Sequence, residues 1–282
     1  MMMRFKEEKI FKVLMIAATV IIVGGLLLIL GSIFYKGIPA ISLDMLIKTS
    51  KGGYYFGKDG GILNAIVGSV YLSFGATLLA TVISIPVVLY MNVYEKRNAF
   101  RVSAMRLCFD ILWGIPSIVY GAFGFTLMIM IGMKTSLFAA IIIITLVIFP
   151  VIVRSVDEVV KMISRGIYEA SYSLCATRSE TAFKVITRQA YPGIITAILI
   201  AFGRAIGDAA AILFTAGYTD FIPTSIFQSA ATLPLAIFFQ LSTPFPEVQD
   251  RAYASALILT VLILTTSLLS RYLTRKYNKY RI

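Results

Sequence analysis

The chain has 282 residues, of which 59% are hydrophobic and 14% charged, and its mean hydropathy is +0.87. That balance excludes an ordinary soluble domain and points to an all-α polytopic membrane protein. The net charge of +12 reflects basic loops held on one side of a membrane and drawn to anionic lipid headgroups, so membrane lipid is an expected partner and nucleic acid is not. With no histidine present, His-based triads, HExxH zinc sites and imidazole haem ligation are excluded, and no metal site is expected.

Apolar runs of the ~20 residues that cross a bilayer lie at about 13–34, 65–90, 105–131, 136–153, 192–216 and 253–270, which predicts six transmembrane helices in one domain over 1–282. The first follows basic "MMMRFKEEKIFK". Its apolar run is longer than the ~7–15 residues of a signal-peptide core and no small-residue cleavage site follows, so it reads as a retained anchor. After it comes "GGYYFGKD", 52–59, which has the GxxxxGK frame of a phosphate-binding loop. Asp59 stands where a magnesium-holding Ser or Thr belongs and no strand signal precedes it, so it reads as a Gly-rich external loop, and the chain is not expected to be its own ATPase. Its aromatic residues suit either contact with a protein outside the membrane or anchoring at the interface.

Asp110 falls near one end of the third run, where an interfacial or Arg-paired structural role and a transport role both fit. Pro86, Pro116 and Pro150 either kink helices or sit at their ends. Nineteen of the 26 Lys and Arg lie in the N-terminus, the segment around 96–106, the 154–191 loop and the tail, which places both termini in the cytoplasm. Cys108 and Cys175 lack metal-site spacing and fall near that side, where thiols stay reduced, so no disulfide is expected.

The 154–191 loop carries its own periodicity. Ile167, Ala170, Leu174 and Cys175 recur at helical spacing, which predicts a short helix with one apolar face outside the membrane. Thr177 and Glu180 have capping-box spacing, with Ser179 as a competing cap, so a second helix should open there and lead to Pro192. Such a hairpin has no core of its own and must bury its face on lipid or on a partner protein.

The fifth run contains "AFGRAIGDAAAILF", 201–214. Arg204 lies twelve residues beyond Pro192, about 18 Å along a helix and near the middle of a ~30 Å hydrocarbon layer, where an arginine must face protein or water. Asp208 sits at i+4 from it, with the base N-terminal to the acid, the weaker order for an intrahelical pair. Arg204 therefore either lines an anion path or holds a structural ion pair. Gly203 and Gly207 form a small-xxx-small face that admits a closely packed helix, which a second subunit is able to supply.

"EASYSLCATR" at 169–178 resembles the EAA loop of ABC importer permeases. "GIPSIVYGAFG" at 114–124, "FPVIVRSVDE" at 149–158, "GRAIGDAAAILFTAG" at 203–217 and "ATLPLAIFFQLSTPFPEVQDRAYASALIL" at 231–259 extend the resemblance to the PstA-type permeases of phosphate-specific ABC importers. That resemblance implies the type I ABC importer permease fold and a non-catalytic, multi-pass subunit of the inner membrane that forms the path of an ATP-driven phosphate importer. It also implies a homologous PstC-type permease, two ATPase subunits that bind ATP and Mg, and an extracytoplasmic phosphate-binding protein, with no cofactor in this chain. Glu169, Ala170, Ser171 and Cys175 then form the coupling contact with the ATPase, Arg204 is the anion contact and Asp208 its tether. Cys175 stands where the loop consensus has glycine, and Thr187–Arg188 where it usually has Leu-Pro. The alternatives are a permease for another anion, such as sulfate or phosphonate, and, in a different class, a secondary anion transporter or channel; a signalling role through a regulatory partner is compatible with transport.

Overall fold

A computed structural model describes residues 2–50, 60–95 and 99–278, without the side chains of 2–7, 99 and 274–278; the 52–59 loop singled out above lies outside the described residues. Eleven helices follow one another among the described residues: α1 Met2–Ala40, α2 Leu43–Ile47, α3 Leu63–Leu89, α4 Ala99–Gly114, α5 Ser117–Met130, α6 Leu137–Lys161, α7 Arg165–Ser173, α8 Arg178–Glu180, α9 Thr187–Gly207, α10 Leu233–Leu241 and α11 Pro246–Asn278. Two π-helical turns continue this order, Tyr90–Tyr94 after α3 and Thr181–Ile186 between α8 and α9. The one β feature described is an isolated bridge between Ser50 and Gly60.

Among the described residues five helical stretches are long and apolar enough to span a membrane: Glu8–Ala40, Leu63–Tyr94, Leu137–Lys161, Arg178–Gly207 and Pro246–Leu273. A sixth crossing requires α4 and α5 together, and these meet at a 91° bend, so the apolar stretch 105–131 is two helices where one was expected. Pro116 caps α5 at the bend, and a proline disfavours helical backbone in the residue before it. Both arms still follow α6: Phe109 of α4 meets Phe149 edge-on at 5.6 Å, and α5 reaches Ile143 through Gly124.

The fifth span also differs from its expected limits of 192–216. Its helix opens at Arg178, runs through Pro192 and stops at Gly207. Residues 208–232 then form turns and irregular chain before α10. A helix break in hydrocarbon is tolerated only where protein satisfies the freed backbone groups, and α6 does so at its start. The amides of Ser136, Leu137 and Phe138 donate to the carbonyls of Thr215 (2.9 Å), Gln228 (2.8 Å) and Ile226 (2.7 Å).

The bundle centre is built from small and branched residues. Ala197, Ala201 and Ala205 form a ridge along α9 at i, i+4 spacing, buried with Ala76 and Ala80 of α3 and Ile144 and Ile148 of α6. Such a ridge lets backbones approach closely where lipid offers no hydrophobic drive. α1 leans on α11, where Lys36 lies 4.7 Å from the Tyr253 ring centroid.

One glycine is required by a close approach. A Cβ on Gly121 of α5 would lie 2.7 Å from the carbonyl oxygen of Ala211 and 3.0 Å from that of Ala210, so α5 can rest on the chain after α9 only without a side chain. Gly121→Val is expected to cost about 1–3 kcal/mol, read as a lower Tm of the detergent-purified chain. Gly25→Val, whose Cβ would meet nothing within 4 Å, should leave Tm nearly unchanged.

Candidate functional site

The resemblance places its residues at the two ends of one helical element, Arg178–Gly207, with α7 packed beside its first turn. At the α7 end the Thr177 capping box forms: the Thr177 hydroxyl accepts from the Glu180 amide at 3.2 Å, and Glu180 Oε2 accepts from the Thr177 amide at 3.1 Å. Thr177, and not Ser179, is the cap. Ser171 is buried and its hydroxyl lies 2.9 Å from that of buried Thr181, which ties α7 to the π turn. Ser171 is therefore positioned as a tie within the hairpin. Glu169, Ala170 and Cys175 are exposed and Leu174 is 84% exposed, so three residues of the expected apolar face are directed outward, while Ile167 packs against the core. The opposite face carries Tyr168, whose phenol pKa is pushed up by burial.

Cys175 explains why a glycine suits its position. Its φ is +57°, the left-handed region, and it stands at C′ of α7 after the C-cap Leu174. Cys175 N–H donates to Tyr172 O at 2.9 Å and Ala176 N–H to Ser171 O at 3.2 Å. This is the paired bonding of a Schellman motif, for which glycine has no steric cost and an L side chain does.

At the other end, Arg204 occupies the last turn of α9 and is partly buried. Measured from Arg178 it lies 26 residues along, about 39 Å at 1.5 Å per residue; Pro192, taken above as the start of the helix, lies inside it. Asp208 is the C-cap, with φ −82° and ψ 111°, and its Oδ1 accepts from the Ala211 amide at 2.9 Å. The helix has ended before Asp208, so the i, i+4 geometry assumed for an Arg204–Asp208 pair does not arise, and no ion pair joins them among the described residues. Asp208 holds the turn, and Arg204 keeps its donors. Gly203 and Gly207 face Thr266 and Ile263 of α11 at ordinary contact distances, so their neighbour is in the same chain.

The bend between α4 and α5 comes to the same place. Tyr120 donates its hydroxyl to the Leu112 carbonyl at 2.9 Å across the bend, and Gly121 beside it rests on the carbonyls of Ala210 and Ala211, just beyond the turn that carries Arg204. The sequence reading missed Tyr120; the tyrosine three residues into α5, beside the Gly121 approach, was the available signal.

It also missed a buried charge cluster at the α7 end. The Asp157 side chain is fully buried on α6. Its Oδ2 accepts from Arg106 Nε at 2.9 Å and pairs with Lys161 Nζ at 2.9 Å, and its Oδ1 accepts from Arg106 Nη2 at 3.1 Å and Asn92 Nδ2 at 2.8 Å. Arg154 Nε lies 2.8 Å from Asp110 Oδ1, which gives Asp110 the Arg-paired structural role. The spacing of Arg154, Asp157 and Lys161 at i, i+3 and i+7 was the sequence signal. Cys108 and Cys175 are free thiols.

Residues 84–279 match the family described as "Binding-protein-dependent transport system inner membrane component", and the chain belongs to that family. Its relatives include the "Phosphate transport system permease protein PstA" of Xylella fastidiosa strain 9a5c, 35% identical over 242 residues that cover 84% of this chain and 82% of that one. The protein of the same name from Yersinia pestis is 30% identical, covering 97% and 92%, and the "Probable phosphate transport system permease protein PstA" of Methanocaldococcus jannaschii is 30% identical, covering 95% and 94%. The inward-facing MetNI methionine ABC transporter shares the fold with a TM-score of 0.62 at 22% identity, covering 76% of this chain and 95% of that one. A bacterial alginate ABC transporter does so with 0.62 at 16%, covering 95% and 96%. The chain is accordingly a multi-pass inner-membrane permease subunit of an ABC importer, with a binding protein and ATPase subunits as partners and no ATPase chemistry of its own.

Cys175→Gly should relieve the left-handed strain by about 0.5–1 kcal/mol net of the extra freedom of unfolded glycine. Hydrogen exchange at the amides of 175 and 176 should slow about two- to fivefold, while Cys175→Ala should bring no slowing.

Proposed function

We propose that this chain conducts phosphate, as the names of its relatives suggest, with a homologous PstC-type permease completing the path and an extracytoplasmic phosphate-binding protein delivering the anion. Both termini and the α7 hairpin then face the cytoplasm, in line with the distribution of Lys and Arg. Two ATPase subunits hold ATP and Mg; this chain holds no cofactor.

The observation that carries the reading is the continuity of Arg178–Gly207, which has the hairpin on one end and Arg204 on the other. The exposed Glu169, Ala170, Leu174 and Cys175 offer the ATPase an outward surface, while the Ser171–Thr181 tie passes displacement of α7 into the helix. At the far end Arg204 moves against the α4–α5 bend, its guanidinium able to replace part of the anion's lost hydration with charge-assisted hydrogen bonds. Asp208 contributes by capping the turn beyond the helix, and Tyr120 by holding the bend open to it.

Labelled-phosphate uptake in cells relying on this system should fall at least tenfold with Arg204→Gln while the complex still assembles. Uptake at the wild-type rate would remove Arg204 from the path. Uptake blocked by competing sulfate or phosphonate, with phosphate not carried, would reassign the anion.

A further inference from the structure

The α7 hairpin does not lie flat on the bundle. A cavity of about 390 Å³ separates its inner face from the helix ends, lined by Met91 and Asn92, by Val102 and Arg106 of α4, by Val160 and Lys161 of α6, by Ile163, and by Arg165 and Tyr168 of α7. Three of these residues are cations and none is an acid. The acids of the neighbouring cluster are already engaged: Asp157 by Arg106, Lys161 and Asn92, and Glu158 by Lys161 at 2.9 Å. Spare donors remain on the cations. Arg106 uses Nε and Nη2 on Asp157 and Asn92 and leaves Nη1 without a hydrogen bond among the described residues. Arg165 has no ion pair among them, and its side chain is exposed.

We propose that this cavity binds a phosphate-type oxyanion, supplied either as free inorganic phosphate or as the headgroup of an anionic lipid. A tetrahedral oxyanion matches the forked donors of Arg165, the remaining Nη1 of Arg106 and the point charge of Lys161. The volume is at the low end of small-ligand sites, enough for a headgroup or a hydrated anion. Its occupant would touch α4, α6 and α7 together, so binding braces the hairpin against the bundle from the side opposite its exposed docking face. The site is separate from Arg204, at the other end of the Arg178–Gly207 helix, and does not depend on which anion the importer carries.

The test is the thermal unfolding midpoint of the full chain in neutral detergent. Inorganic phosphate is titrated against chloride at matched ionic strength, and, separately, phosphatidylglycerol against phosphatidylcholine in the micelles. A saturable rise in the wild-type midpoint is expected with at least one of the two. Arg165→Gln, at an exposed side chain, should raise the half-effect concentration at least tenfold, and Arg204→Gln should change it less than twofold. A response to phosphate alone identifies the free anion, and a response to phosphatidylglycerol alone identifies the headgroup. No rise with either additive, a rise untouched by Arg165→Gln, or one lost in Arg204→Gln would each overturn the proposal, the last by placing the anion at Arg204.

Discussion

Backbone polar groups have no water to bond at membrane depth, and this constraint shapes the part of the molecule that matters most. The spans are interrupted at 115–116 and again after Gly207, and the two interruptions support one another. Tyr120 takes up the Leu112 carbonyl, Asp208 takes up the Ala211 amide, and Gly121 lets α5 lie against the carbonyls of Ala210 and Ala211. The result is irregular backbone packed against α5, just beyond the last helical turn, which carries Arg204. An arginine placed at the same depth on an unbroken lipid-facing helix would be costly; here the breaks provide its surroundings.

The opposite end of the same helix is organised by charge. Asp157 is buried and must be neutralised, and the groups that do so come from the π turn after α3 (Asn92), α4 (Arg106) and α6 (Lys161). Removing one partner of a buried pair is far more costly than forming the pair is stabilising, so the cluster fixes these three elements relative to one another. The hairpin is attached differently, by the Ser171–Thr181 hydroxyl pair and the capping box, both of which tie it to the Arg178–Gly207 helix. The architecture thus joins a fixed frame of α3, α4 and α6 to a helix that carries both the hairpin and Arg204.

The sequence disclosed what depends on composition and local periodicity. Long apolar runs gave the spans, Thr177 and Glu180 gave the capping box, and the 169–178 motif gave the hairpin. Less legible was whatever depends on where a helix stops. Pro116 signals a break, yet a 91° bend follows from the packing of both arms on α6, which no single segment encodes. The apolar run 208–216 reads as helix, but the helix ends at Gly207, and the Thr215 carbonyl is taken up by the Ser136 amide at the start of α6 and that of Ala216 by the Ala230 amide. Once it ends there, the i, i+4 relation of Arg204 and Asp208 loses its meaning. The Asp157 cluster draws on Asn92 and Arg106, 65 and 51 residues away, a convergence only tertiary structure supplies.

Rigid linkage between hairpin and Arg204 can be measured by electron spin resonance distances in the assembled importer, with spin labels on exposed positions and Cys108 and Cys175 replaced by serine. Labels at Arg178 and Ile200 should stay about 33 Å apart along the helix, unchanged within about 2 Å between nucleotide-free and ATP-bound states, while Ile200 shifts relative to Ile118 of α5. A change of several ångströms between Arg178 and Ile200, with Ile200 and Ile118 fixed, would show that the helix bends instead of moving as a unit, and would contradict coupling through it.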